Sequence, residues 1–112
     1  IPELEVTGHE QGDLLVLSWG GSYGAVFTAV QRARHKGLPV GHAHMRYLNP
    51  FPRNLGDVLG RFNRVMIPEL NSGQLGLLVR ARYLRDVVHL SKLQGLPFSI
   101  GEIETKIEEV LA

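Results

Sequence analysis

Residues 14–34 read LLVLSWGGSYGAVFTAVQRAR, and this stretch decides how the chain folds. A continuous apolar run, Leu14 to Leu17, enters the small-residue loop Ser18-Trp19-Gly20-Gly21-Ser22-Tyr23-Gly24. An uninterrupted apolar run of this length predicts a strand buried on both faces, as in a parallel sheet. Beyond the loop, Tyr23, Val26, Phe27 and Val30 recur at helical spacing, and Arg32, Arg34 and Lys36 follow in the last turn. Cations there complement the negative end of the helix dipole, and Gly37 is placed to cap it. Strand, glycine loop and helix is one way to hold a phosphate, and it is also the ordinary corner of an α/β sheet.

The same alternation continues outward. Residues 39–46 are extended until Asn49-Pro50-Phe51-Pro52 breaks them, and Asn54 is expected to cap a short helix carrying Leu55, Val58, Leu59 and Phe62. Val65-Met66-Ile67 reads as a third strand ended by Pro68. A helix with Leu75, Leu78, Val79 and Tyr83 as its stripe follows, then a fourth strand at residues 86–90. Ser99-x-x-Glu102 forms a capping box with Phe98 and Ile103 as its staple. It opens a last helix with Ile100, Ile103, Ile107, Val110 and Leu111 on one face. Residues 4–7 are expected as an edge strand whose direction the pattern leaves open. Four β-then-α units predict a three-layer α/β/α domain around a mainly parallel sheet of four to five strands. Ligands and partners of such sheets meet the loops at the carboxyl ends of the strands.

Composition narrows the chemistry. The chain of 112 residues is 44% hydrophobic and 21% charged, which fits one soluble globular domain. No apolar run approaches the roughly 20 residues of a membrane helix. With no cysteine, the chain offers no thiolate nucleophile, disulfide or cysteine ligand for zinc or an iron–sulfur cluster. That suits a cytoplasmic protein. The chain begins at Ile1, not methionine, and is expected to be a piece of a longer protein. Residues 31–85 are strongly basic, with only Asp57 and Glu69 as acids, whereas both ends are acidic. This polarity points either to solvated helix faces that neutralise one another on folding or to an oppositely charged partner.

Motif tests exclude several activities. A dinucleotide fingerprint would need glycine at position 19, where the chain has tryptophan, and an acid near residues 42–46, which read His-Ala-His-Met-Arg. No Gly-Lys-Ser/Thr of a P-loop follows the loop. Gly20 and Gly21 are therefore read as turning the backbone with Ser22 capping the helix, while Trp19 and Tyr23 are candidate contacts for a neighbouring domain. His42 and His44 alternate on one strand face but lack a third metal ligand nearby, so they are read as packing or hydrogen-bonding residues. No G-x-S-x-G elbow is present, and no nucleic-acid motif appears. In Pro68-Glu69-Leu70-Asn71-Ser72-Gly73-Gln74-Leu75, Glu69 is placed to accept hydrogen bonds from loops. Asn71 and Gln74 either cap the helix reciprocally or face an anionic ligand or partner.

Three ordered segments carry a resemblance: GDLLVLSWGGSYG at 12–24, RYLNPFP at 46–52 and PELNSGQL at 68–75, supported by VHLSKLQGLPF at 88–98. Together they resemble the C-terminal domain of the α subunit of 2-oxoacid:ferredoxin oxidoreductases, nearest the 2-oxoglutarate type. The resemblance implies a transketolase C-terminal-like fold and a parent complex with thiamine diphosphate, Mg2+, an iron–sulfur cluster and coenzyme A. In that family the complex decarboxylates a 2-oxoacid and passes electrons to ferredoxin. Those groups are expected in other α-subunit domains and the β subunit, leaving this domain a non-catalytic assembly role. Its contact candidates are Trp19, Gly20, Gly21, Ser22, Tyr23, Arg46, Asn49, Glu69, Asn71 and Gln74, with no catalytic or metal residue, no nucleic acid and no membrane. The alternative is a free-standing anion- or nucleotide-binding α/β module.

Overall fold

The computed structural model describes residues 2–46, 48, 50–70, 74–92 and 97–112. The strands are β1 (Val6–Gly8), β2 (Gly12–Trp19), β3 (Val40–Met45), β4 (Phe62–Leu70) and β5 (Val88–Lys92). The helices are α1 (Tyr23–His35), α2 (Leu55–Gly60), α3 (Gln74–Tyr83) and α4 (Ile100–Leu111), with a 3-10 turn at Gly20–Ser22. The five strands lie in the order β1-β3-β2-β4-β5. β2, β3, β4 and β5 run parallel, and β1 closes one edge antiparallel to β3.

β2 explains why there are two cores. Its side chains alternate across the sheet, so Leu15 and Leu17 join the layer built with α2 and α3 around Leu55, Leu59, Ile67, Leu75 and Val79. Leu14 and Val16 join the opposite layer with α1 and α4, among Val26, Val30, Ile103 and Ile107. Every one of these core side chains is buried, and at ~25 cal/mol per Å2 of apolar surface removed from water this burial is the main stabilising term. The three-layer expectation is met, with the sheet mixed because of β1.

The element ends differ in instructive ways. β4 does not stop at Pro68 but runs to Leu70, pairing Pro68 with Leu90. The paired register of β2 with β4 reaches only Met66, so Pro68 lies where β4 has β5 as its partner and a missing N–H is tolerated. α2 ends at Gly60, and Phe62 opens β4 while its ring still packs in the α2 layer.

Caps were reassigned as well. Asn54 sits at the N-cap of α2 without capping it. Its side-chain oxygen accepts from the Leu4 N–H at 2.8 Å and its amide donates to the Leu4 carbonyl at 2.9 Å. At the C-terminus of α1, Gly37 has φ of +84°. Its N–H reaches the Arg34 carbonyl at 2.9 Å and the Leu38 N–H reaches Ala33 at 3.1 Å, a Schellman closure. The Ser99/Glu102 capping box is fully formed, and Phe98 and Ile103 share one buried cluster.

Much of the charge polarity is spent inside the fold. Lys36 on α1 reaches Glu104 at 2.7 Å and Glu108 at 2.5 Å on α4, and Arg32 lies 3.7 Å from Glu104. The Lys36 ammonium is held above its ordinary pKa by its hydrogen bonds to Glu104 and Glu108, and the Glu104 carboxyl is held below its ordinary value by Lys36. Arg64 donates to the Val110 carbonyl, and Arg85 to the carbonyls of Leu59 and Phe62.

Candidate functional site at the carboxyl edge of the sheet

The carboxyl ends of β2, β3 and β4 bring Trp19, Arg46 and Glu69 to one edge. Gly20 turns the chain there with φ of +67°, a conformation that L side chains resist. Gly21 has no such requirement: its φ is not positive, and nothing lies within 4 Å of a Cβ built there. Ser22 occupies the N-cap of α1 but makes no cap hydrogen bond, because its hydroxyl donates back to the Trp19 carbonyl at 3.1 Å. The expected Ser22 cap is thus replaced by a bond that closes the Gly20–Ser22 turn.

Glu69 is the hub of this edge. It is only 3% exposed, and its carboxylate accepts three N–H donors. Trp19 Nε1 reaches Oε1 at 3.1 Å, the Leu75 N–H reaches Oε1 at 2.6 Å, and the Gly76 N–H reaches Oε2 at 2.9 Å. Leu75 and Gly76 are the second and third residues of α3, whose amides have no partner within the helix. A carboxylate held there also sits at the positive end of the helix dipole. The cap on α3 therefore comes from β4 through Glu69. The expected Asn71–Gln74 cap, like the Asn49 contact, lies outside the described residues; Gln74 itself is exposed at the start of α3. Trp19 is an internal anchor of this hub.

Beside the hub, Ser18 Oγ lies 2.8 Å from both His42 Nε2 and His44 Nδ1. A hydroxyl carries one proton, so at least one imidazole donates its N–H to Ser18. His42 is 2% exposed, and burial, aided by the His44 charge, pushes its pKa down to about 4. His44 is also lowered, by burial and by Arg46. Tyr23, 47% exposed, sets its ring edge-on to His44 at 4.9 Å and stacks on Phe27 at 5.7 Å. A groove of about 530 Å3 opens here, lined in part by Thr7, Tyr23, His44 and Arg46.

Sequence reasoning placed His42 and His44 on one strand face but missed Ser18 as their shared partner. Only the β2–β3 register, which sets Ser18 opposite His44, supplies that signal. Among the described residues no group of three or more His, Cys, Asp or Glu could hold a metal ion. With no cysteine either, these residues do not fit the magnesium or cluster of the resembled family.

Known proteins agree with this architecture. The chain is 49% identical to the 2-oxoglutarate oxidoreductase subunit KorA of Mycobacterium tuberculosis, over 100% of this chain and 17% of that protein. It is 30% identical to the α subunit of 2-oxoacid:ferredoxin oxidoreductase 1 of Aeropyrum pernix, over 68% of this chain and 12% of that one. It therefore spans about a sixth or less of the length of these curated relatives. Among solved structures, 2-oxoglutarate:ferredoxin oxidoreductase from Magnetococcus marinus, with 2-oxoglutarate, coenzyme A and succinyl-CoA bound, superposes with a TM-score of 0.92 at 28% identity. That match covers 100% of this chain and 20% of that one. A split-gene transketolase shares the fold at a TM-score of 0.72 and 15% identity, over 96% of this chain and 41% of that one. Residues 12–103 match the family described as pyruvate:ferredoxin oxidoreductase core domain II, and the chain belongs to that family.

Proposed function

We propose that this chain is the C-terminal assembly domain of the α subunit of a 2-oxoacid:ferredoxin oxidoreductase of the 2-oxoglutarate type. The observation that carries this reading is the state of the carboxyl edge, where α/β sheets usually meet ligands. Its one buried carboxylate, Glu69, is committed to three internal donors. Among the described residues, the groups left outward include an aromatic pair, Tyr23 and Phe27, the cation Arg46 and the amide Gln74, a combination typical of protein contacts. The family and the 49% identical relative support the parent enzyme. Thiamine diphosphate with Mg2+, the iron–sulfur cluster, coenzyme A and ferredoxin then engage the remaining α-subunit domains and the β subunit. This domain holds those parts in register.

The test is to produce the longer protein with its β subunit and to assay 2-oxoglutarate- and coenzyme A-dependent reduction of ferredoxin. Tyr23→Ala and Arg46→Ala should lower the fraction of assembled complex on size exclusion while leaving kcat per assembled complex unchanged. A loss of about tenfold or more in kcat with assembly intact would assign the edge a part in the reaction. Thermal stabilisation of this chain alone by micromolar coenzyme A or a nicotinamide nucleotide would favour a free-standing ligand-binding module instead.

A further inference from the structure

Ser18, His42 and His44 form a polar island in an apolar layer. On β2, Ser18 continues the face of Leu14 and Val16, and on β3 the two histidines continue the face of Val40. Ser18 is 0% exposed and His42 is almost as deeply buried. Apolar side chains would pack there as their neighbours do, without the cost of taking polar groups out of water. Among the described residues the three side chains hydrogen-bond only to one another. Unlike Glu69, they cap no helix.

Counting protons shows what the island can do. Its two contacts, His42 Nε2 to Ser18 Oγ and Ser18 Oγ to His44 Nδ1, are both 2.8 Å and need one proton apiece. With both imidazoles neutral, the hydroxyl fills one contact and an imidazole N–H fills the other. Once His44 is charged its Nδ1 must donate, so the hydroxyl turns to His42, whose Nε2 must accept. A second proton, on His42, would leave the hydroxyl with no acceptor in the island. The network therefore admits one extra proton and resists another. His44 is the point of entry, since it is only half-buried on the groove wall.

The surroundings set when that proton arrives. Arg46 of β3 opposes a charge on His44, while Glu3 and Glu5, from the segment before β1, line the same groove and favour it. α1 contributes Tyr23 and no acid in its first turn, and Thr7 of β1 is tied to the His42 carbonyl. Burial holds both imidazoles below their ordinary pKa, so both are neutral at pH 7 and the proton enters in the acidic range. The Tyr23 ring meets both of them, edge-on to His44 at 4.9 Å and tilted on His42 at 5.8 Å.

We propose that His42, Ser18 and His44 are a one-proton switch in which His44 takes a proton from the groove, Ser18 reverses its hydroxyl and Tyr23 carries the change to the edge surface. Its consequence rests on the reading of that edge as a contact surface. A partner seated on Tyr23 and Arg46 would bury the charged His44 beside another cation, so the contact selects the neutral form.

NMR of nitrogen-15-labelled histidine side chains in this chain, followed from about pH 7 to about pH 4, reads the proton positions directly. His44 should charge first, the Tyr23 ring signals should move with the same midpoint, and His42 should then show an unprotonated Nε2. Ser18→Ala should bring the two histidine midpoints closer together. Circular dichroism at each pH keeps acid unfolding apart from the switch. A protonated Nε2 on His42 while His44 is charged, Tyr23 signals indifferent to that step, or unfolding before His44 charges would each overturn the inference. These readings come from the unaltered chain and hold even if Ser18→Ala fails to fold; a folded Ser18→Ala with unchanged midpoints would also overturn it. In the longer protein with its β subunit, the apparent dissociation constant of the complex should rise about tenfold per pH unit below the His44 midpoint. His44→Asn should flatten that dependence. If the imidazoles behave as described but His44→Asn leaves the pH dependence of assembly unchanged, the switch stands and the contact reading of the edge fails.

Discussion

Glu69 shows how a single side chain can bind three elements. A carboxylate buried beside the first turn of α3 is stable only because three N–H groups surround it. Glu69→Ala leaves the Trp19, Leu75 and Gly76 donors unsatisfied and is expected to cost about 3 kcal/mol, read as a lower urea midpoint. Hydrogen exchange should show α3 loosening first. His42 makes a different residue-scale statement. Its folded-state pKa is about 4 against 6.5 for the free side chain, so between those values the unfolded chain binds more protons. Stability is therefore complete above about pH 6.5 and declines as the pH falls through 6.5 towards 4. The lowered His44 acts with the same sign. The loss attributable to His42 is of order 3 kcal/mol. Urea midpoints measured from pH 7 to pH 4 should fall in that window, and His42→Gln should flatten the slope whatever it does to stability at pH 7.

At the scale of elements, α3 and β5 are fitted to one another through a glycine. A Cβ at Gly76 would stand 1.9 Å from His89 Nε2, a nitrogen that is buried without a hydrogen-bond partner. Glu69 Oε2 is 3.7 Å from that nitrogen, beyond hydrogen-bonding reach. Gly76→Ala is expected to destabilise despite the helix propensity gain of about 1 kcal/mol. In a His89→Ala background the same substitution should be neutral or stabilising, and a double-mutant cycle of unfolding free energies measures the difference. Equal effects of Gly76→Ala in both backgrounds would refute the contact. The helix ends also show which local signals survive folding. Ser99/Glu102 and Gly37 behave as their sequence predicts because both partners lie within a few residues. Ser22 and Asn54 do not, because a nearer carbonyl and the distant backbone of Leu4, in the segment before β1, offered better partners.

For the molecule as a whole, Asn54 is the link between the N-terminal segment and the body. Its paired bonds to Leu4 mimic one rung of a sheet and hold Leu4, with 7% exposure, over the α2 layer. Asn54→Ala should free this segment, seen as faster proteolysis before β1 with the transition of the main core little moved; unchanged cleavage would refute the tie. The sequence by itself determined the layered α/β class and the order of its elements. It also determined the two-sided burial of β2 and the best-marked caps, since these follow from the spacing of apolar groups and from bonds between near neighbours. It also carried the family, through three ordered segments. Tertiary structure alone decided the direction of β1, the run of β4 past Pro68, the capping of α3 by Glu69 and the meeting of Ser18 with His42 and His44. The Glu69 cap joins residues only six and seven apart but needs the extended β4 to turn its last side chains back onto α3. The others depend on strand register or on partners dozens of residues apart, and propensity and periodicity act only over a few turns.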